Sequence, residues 1–92
     1  MPFFALQYEL IDDFVARRTP FREQHLGLLR DLQSRGEVVL AGAFAEPADR
    51  ALLVFKSADR SIPESFAKND PYVVNGLVKR WEVRLWSVVI GN

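Results

Sequence analysis

Apolar residues along this chain recur at every second position, then at helical spacing, then twice at every second, then at helical spacing, and last at every second. A period of two belongs to a strand with alternating faces, and one of roughly 3.6 to a helix with one buried stripe. PFFALQYEL sets Phe4, Leu6, Tyr8 and Leu10 against Phe3, Ala5, Gln7 and Glu9, which predicts a first strand. A connection through Asp12, Asp13 and the Arg17–Arg18 pair leads to TPFREQHLGLLRDLQSRG, where Phe21, His25, Leu28, Leu29 and Leu32 share one helical face. Thr19 is its expected N-cap, Pro20 its first residue and Gly36 its stop. EVVLAGAF and RALLVFKS, parted by AEPAD, predict a hairpin, with Gly42 marking a bulge or a close backbone approach. Ser61 and Glu64 have the spacing of a capping box that opens a short helix through Phe66 and Ala67. VKRWEVRLWSVVIG predicts a long closing strand with one tryptophan on each side.

The order β-α-β-β-α-β specifies an α+β domain of ferredoxin-like architecture, an antiparallel four-stranded sheet with two helices on one face. With 92 residues the chain is expected to form one domain over 1–92. Helices on one face leave the other sheet face bare, yet both faces of the first and last strands carry large apolar groups. Leaving several such side chains wet forgoes several kcal/mol at about 25 cal/mol per Å². A homodimer packed sheet to sheet is therefore expected.

Twelve basic and twelve acidic side chains cancel, so no long-range field draws in a polyanion or a membrane surface. Nucleic acid and membrane partners are not expected. RALLVFKS also lacks the glycine–aromatic pattern with which RNA-recognition sheets of the same element order stack bases. With no cysteine there is no disulfide framework, thiolate nucleophile or cysteine-ligated metal. One histidine and no carboxylates at convincing ligand spacing leave no expected metal site. The apolar start of the chain is broken by Gln7, Glu9, Asp12 and Asp13 before it reaches signal-peptide or membrane-spanning form, and a cytoplasmic location is expected. Gly36, Gly42 and Gly76 are scattered, so no phosphate-cradling loop is expected, and G-x-S-x-G does not occur.

His25, the only histidine, lies on the apolar stripe of its helix although Glu23 and Gln24 already occupy the wet side. One reading is a core histidine whose ring nitrogens find backbone partners. The other is a general base, which needs a second group to fix its tautomer and stabilise the imidazolium, a task a carboxylate does best. Asp70 in NDPYVVNG is the first carboxylate to consider; followed by Pro71, with Gly76 downstream, it also reads as the N-cap of a new short helix. The two roles are compatible, because one carboxylate oxygen can cap while the other faces an imidazole. Arg22, one turn before His25, is placed to hold an anionic group, or is a solvated surface arginine. Tyr72 is either a hydroxyl donor to a ligand or a packed tyrosine. The Arg17–Arg18 and Lys79–Arg80 pairs read as solvated charge.

Three segments together resemble the YciI-like (YCII-related) domain family: REQHLGLLRDLQSRGEVVLAGAF, NDPYVVNGLV and VKRWEVRLWSVVIG. The chain departs from that family's pattern at Ala43 and Leu85, where proline is common. The resemblance implies a dimeric α+β barrel and a His25–Asp70 pair in a pocket near the subunit interface. It also implies chemistry of the kind its relatives perform without a cofactor, such as eliminating chloride from a chlorinated hydroxyquinol, or isomerising lactones on similar folds. The leading expectation is a cofactor-independent lyase or isomerase acting on a small anionic or aromatic metabolite. In it His25 transfers the proton, Asp70 orients it, and Arg22 and Tyr72 bind the substrate. The alternative is a non-catalytic ligand-binding or scaffolding dimer. A further one is a haem-handling barrel with His25 as axial ligand.

Overall fold

The computed structural model describes residues 1–91. Among them the elements run β1 (Phe3–Leu10), α1 (Phe14–Arg17), α2 (Thr19–Ser34), β2 (Val38–Ala43), β3 (Arg50–Lys56), α3 (Ser61–Asn69), α4 (Pro71–Val74) and β4 (Val78–Trp86). The strands pair antiparallel in the order β2-β3-β1-β4, which is the ferredoxin-like arrangement, with α1 and α4 added as short turns of helix.

Register assigns each residue to a face. Phe4, Leu6 and Tyr8 of β1 stand opposite Phe55, Leu53 and Ala51 of β3 and opposite Leu85, Val83 and Trp81 of β4. This face receives Phe14 from α1, Leu29 from α2, Phe66 and Ala67 from α3 and Tyr72 from α4, and together they form the core. The other face shows Phe3, Gln7, Glu9, Leu52, Arg80, Glu82 and Trp86, and no helix covers it. Both tryptophans occupy the faces their alternation assigns them, Trp81 against Tyr8 on the core side and Trp86 against Phe3 on the open side.

Several local expectations are corrected. The connection before α2 contains α1, which feeds α2 directly: Arg18 holds the cap position with helical backbone (φ −74°, ψ −22°) and Thr19 is already helical. A capping side chain needs an extended residue at the cap, so Thr19 cannot serve. The capping box at Ser61 also fails, because Arg60 turns helically ahead of it. Asp59 instead accepts the Ser61 amide at 2.8 Å, and hydrogen bonds from Ser61 lower the Asp59 pKa. Gly42 pairs regularly with Leu52; the extra residue of β2 is Val39, between Val38 opposite Phe55 and Leu40 opposite Val54. On α2, Leu28 turns outward and Leu26 is half-buried in its place. The last strand stops at Trp86, the partner of Phe3, because β1, its only neighbour, begins there.

At the junction of α3 and α4 the chain behaves as its Asp-Pro pair requires. A residue before proline is driven out of the helical region, and Asp70 adopts φ −63°, ψ 125°, ending α3 and capping α4. Gly76, with φ 78°, then turns the chain into Leu77 and β4, in a conformation that costs a side-chain-bearing residue about 1–2 kcal/mol.

Candidate active site

The two ionisable groups singled out by the sequence meet. His25 projects from the middle of α2 and Asp70 from the α3–α4 junction, 45 positions apart in the chain, and Nδ1 of the ring lies 2.7 Å from Oδ1 of the carboxylate. Asp70 is completely buried and His25 is 8% exposed.

The surroundings of Asp70 determine which way the protons lie. Tyr8 on β1 donates its hydroxyl to Oδ2 at 2.7 Å, and the Tyr72 amide donates to Oδ1 at 3.1 Å, the capping bond of α4. A carboxylate surrounded by donors accepts from the imidazole as well, so Nδ1 is the donor here, and in the neutral tautomer the lone pair lies on Nε2. Burial, and then the Asp70 charge, raise the Tyr8 pKa far above the usual tyrosine range, which keeps this hydroxyl a donor. Below the imidazole, Tyr72 stacks with ring centroids 3.9 Å apart and planes 14° from parallel, while Phe66 meets the ring edge at 6.1 Å. Phe14 in turn stands edge-on to Tyr72 at 5.2 Å. The ring is thus held by one hydrogen bond to the carboxylate and two aromatic neighbours.

A cavity of about 150 Å³ opens beside this pair, lined among others by His25, Tyr8, Tyr72, Leu26, Leu29 and the backbone side of Gly42. Arg22 lies at its wall as expected, and so does Arg18, which the sequence reading took for solvated charge. Burial raises the Tyr72 pKa, opposed by the guanidiniums of Arg22 and Arg18. A larger hollow of about 510 Å³ lies on the open sheet face between Gln7, Glu9, Arg50, Leu52 and Arg80, away from the His–Asp pair. Of the two, the smaller one places the imidazole beside the Tyr8 and Tyr72 side chains and two arginines. Its volume is below that of pockets for drug-sized ligands, about 300–1,000 Å³, which argues against a macrocycle such as haem. Among the described residues no three His, Cys, Asp or Glu side chains converge to hold a metal, and no helix is long and apolar enough to cross a membrane.

Tyr8 is the neighbour of the His–Asp pair that sequence reasoning missed. Its signal was present: a polar tip inside the stripe Phe4, Leu6, Tyr8, Leu10 demands a buried partner, as His25 does among leucines. Tyr8→Phe is expected to destabilise the protein by about 1–3 kcal/mol, because Oδ2 of a buried carboxylate loses its donor. A folded-state pKa raised above the ordinary value of 10.0 means that this contribution is intact below that pH and lost as pH rises beyond it. Urea unfolding should therefore show the gap between wild type and Tyr8→Phe narrowing above pH 10; a gap independent of pH contradicts the assignment.

Fold and site together define a ferredoxin-like α+β domain with a buried histidine–carboxylate pair at the floor of a small cavity. The chain belongs to the YCII-related domain family, whose model matches residues 1–87. No curated protein matches it. Among solved structures it is similar to 5-chloro-2-hydroxyhydroquinone dehydrochlorinase from Burkholderia phenoliruptrix AC1100, in complex with 2,5-dihydroxybenzoquinone, at 18% identity, 92% coverage of this chain, 93% of that one and TM-score 0.77. An antibiotic biosynthesis monooxygenase is similar at 10% identity, 97% and 99% coverage and TM-score 0.60. A protein from Agrobacterium tumefaciens follows at 14% identity, 98% and 95% coverage and TM-score 0.57. At these identities the likeness establishes the fold.

Proposed function

We propose that this protein is a cofactor-independent lyase or isomerase acting on a small anionic or aromatic metabolite. The observation that carries the reading is the His25–Asp70 contact of 2.7 Å, which turns Nδ1 toward the carboxylate and leaves Nε2 as the base beside a cavity. Nε2 takes a proton from an acidic carbon, and the electron pair of that C–H bond moves into a new double bond. In an elimination, a leaving group on the adjacent carbon departs with its bonding electrons; in an isomerisation, the new double bond displaces an adjacent one, whose electrons take the proton back from the imidazolium at the far carbon. Asp70 stabilises the imidazolium between these steps, and a positioned base of this kind contributes about 10²–10⁴-fold. Arg22 holds the substrate charge and Tyr72 offers its hydroxyl. The dehydrochlorinase similarity supports an elimination. A thermal-shift screen of small acids and hydroxylated aromatics, followed by NMR of the hits in D₂O, tests the reading: a substrate should exchange or lose its acidic C–H with wild type and not with a His25 variant. Exchange that persists without His25 refutes it.

The working unit in this reading is a homodimer packed through the open sheet face. That face carries Trp86, 44% exposed, and Leu40, 69% exposed, apolar groups that a second copy would cover. Buried aromatic anchors of this kind contribute about 2 kcal/mol or more to an interface. Light scattering of Trp86→Glu should report a monomer where wild type is a dimer; a wild type that is monomeric at micromolar concentration refutes the assembly.

A further inference from the structure

Arg18 and Arg22, one turn apart along the chain entering α2, both line the cavity that holds His25. Among the described residues neither is paired with an acid, although elsewhere Arg30 meets Glu23, Arg35 meets Asp31, Lys79 meets Asp12 and Arg80 meets Glu9. Arg18 is half-buried with its guanidinium 5.5 Å over the Phe14 ring, so its charge is held at the cavity instead of sweeping through solvent. The first turn of α2 contains no acidic residue. Cations at a helix N-terminus oppose its dipole, and like charges four residues apart repel, an arrangement that an anion bound between them relieves. Inside the cavity the Tyr72 ring is buried, while its hydroxyl makes no hydrogen bond to the described residues and stays accessible from the cavity.

We propose that Arg18 acts with Arg22 as a two-guanidinium clamp that selects small carboxylates, dividing the two carboxylate oxygens between them and delivering the rest of the molecule to Nε2 of His25. This deepens the reading of the previous section and rests on it for the role of His25. Guanidinium groups bind carboxylates through parallel N–H donors, and two of them flanking one mouth discriminate a charged group from a neutral group of the same shape. The size of the cavity, about 150 Å³, bounds the body of the acid. A cavity of about that volume accommodates a benzene ring, so the acid has a single ring or an equivalent short chain.

Benzoate and its neutral isostere benzamide are the probes, titrated by NMR and calorimetry into wild type, Arg18→Gln, Arg22→Gln, Arg17→Gln and His25→Asn, each checked for folding by circular dichroism. Charge-assisted hydrogen bonds contribute enough that losing either clamp residue should weaken benzoate by about tenfold or more. Arg17 is exposed and does not line the cavity, so Arg17→Gln should bind as wild type does. Benzamide should bind wild type at least about tenfold more weakly than benzoate. Wild-type affinity in Arg18→Gln, equal binding of benzamide, an equal loss in Arg17→Gln, or no benzoate binding to wild type at millimolar concentration each overturns the clamp. His25→Asn should keep benzoate affinity while losing C–H exchange on the substrates found by the screen; if it keeps both, the clamp stands and the catalytic reading falls.

Discussion

His25→Ala is expected to lower turnover of a substrate by about 10²–10⁴-fold, the range that a positioned proton-transfer group contributes. The expectation follows from the proposed division of labour on the ring: Nδ1 faces Asp70 at 2.7 Å, and Nε2 is the nitrogen proposed to meet a ligand in the cavity. No other imidazole exists in the chain to take over, and there is no cysteine. The fold should survive, since Oδ1 and Oδ2 of Asp70 keep the Tyr72 amide and the Tyr8 hydroxyl as donors. His25→Asn, which offers a donor toward Asp70, separates lost chemistry from lost packing. Turnover within a few-fold of wild type in a folded His25→Ala protein removes the histidine from the mechanism.

Asp70→Ala is expected to cost stability before it costs catalysis, by about 3–5 kcal/mol, because several buried donors lose their acceptor at about 1–3 kcal/mol each. The reason is the number of groups that depend on this carboxylate: the imidazole, the Tyr8 hydroxyl and the amide that begins α4. For a domain with a total stability of about 5–15 kcal/mol, a loss of this size is a large fraction of the whole. Asp70→Asn gives the informative comparison. Its carbonyl still accepts from the Tyr72 amide and Nδ1, and its amino group can donate to the Tyr8 oxygen, so chemical denaturation should show a smaller loss than for alanine. Without the negative charge the imidazolium is not stabilised, and turnover should fall by about 10²-fold or more. If Asp70→Asn retains turnover, the aspartate is a cap for α4 and nothing more.

The strands and the long helix were legible because each repeats a period over many residues, and the pairing of Asp70 with Pro71 announced a cap that the backbone then adopted. The expectations that failed share a cause. Thr19 and Ser61 are good capping residues by type, yet each follows a residue already turning helically, and that turn is set by contacts of the preceding segment. Likewise the bulge fell at Val39 and not at Gly42, because register in β2 is dictated by what β3 presents opposite it. Arg18 looked like one of a solvated pair, and only the packing of its guanidinium over Phe14 at the edge of the cavity distinguishes it from Arg17.

The local periodicities were enough to derive the element order, the antiparallel sheet with its bare face, and the anomaly of an imidazole on an apolar stripe, because these depend on residues a few positions apart. The triad of Tyr8, His25 and Asp70 depends on positions 62 and 45 residues apart being brought within 2.7 Å. Such distances are products of the whole sheet and its helices, and no window of sequence contains them: the central strand carries the tyrosine beneath the helices, and the α3–α4 break aims the carboxylate between it and the ring.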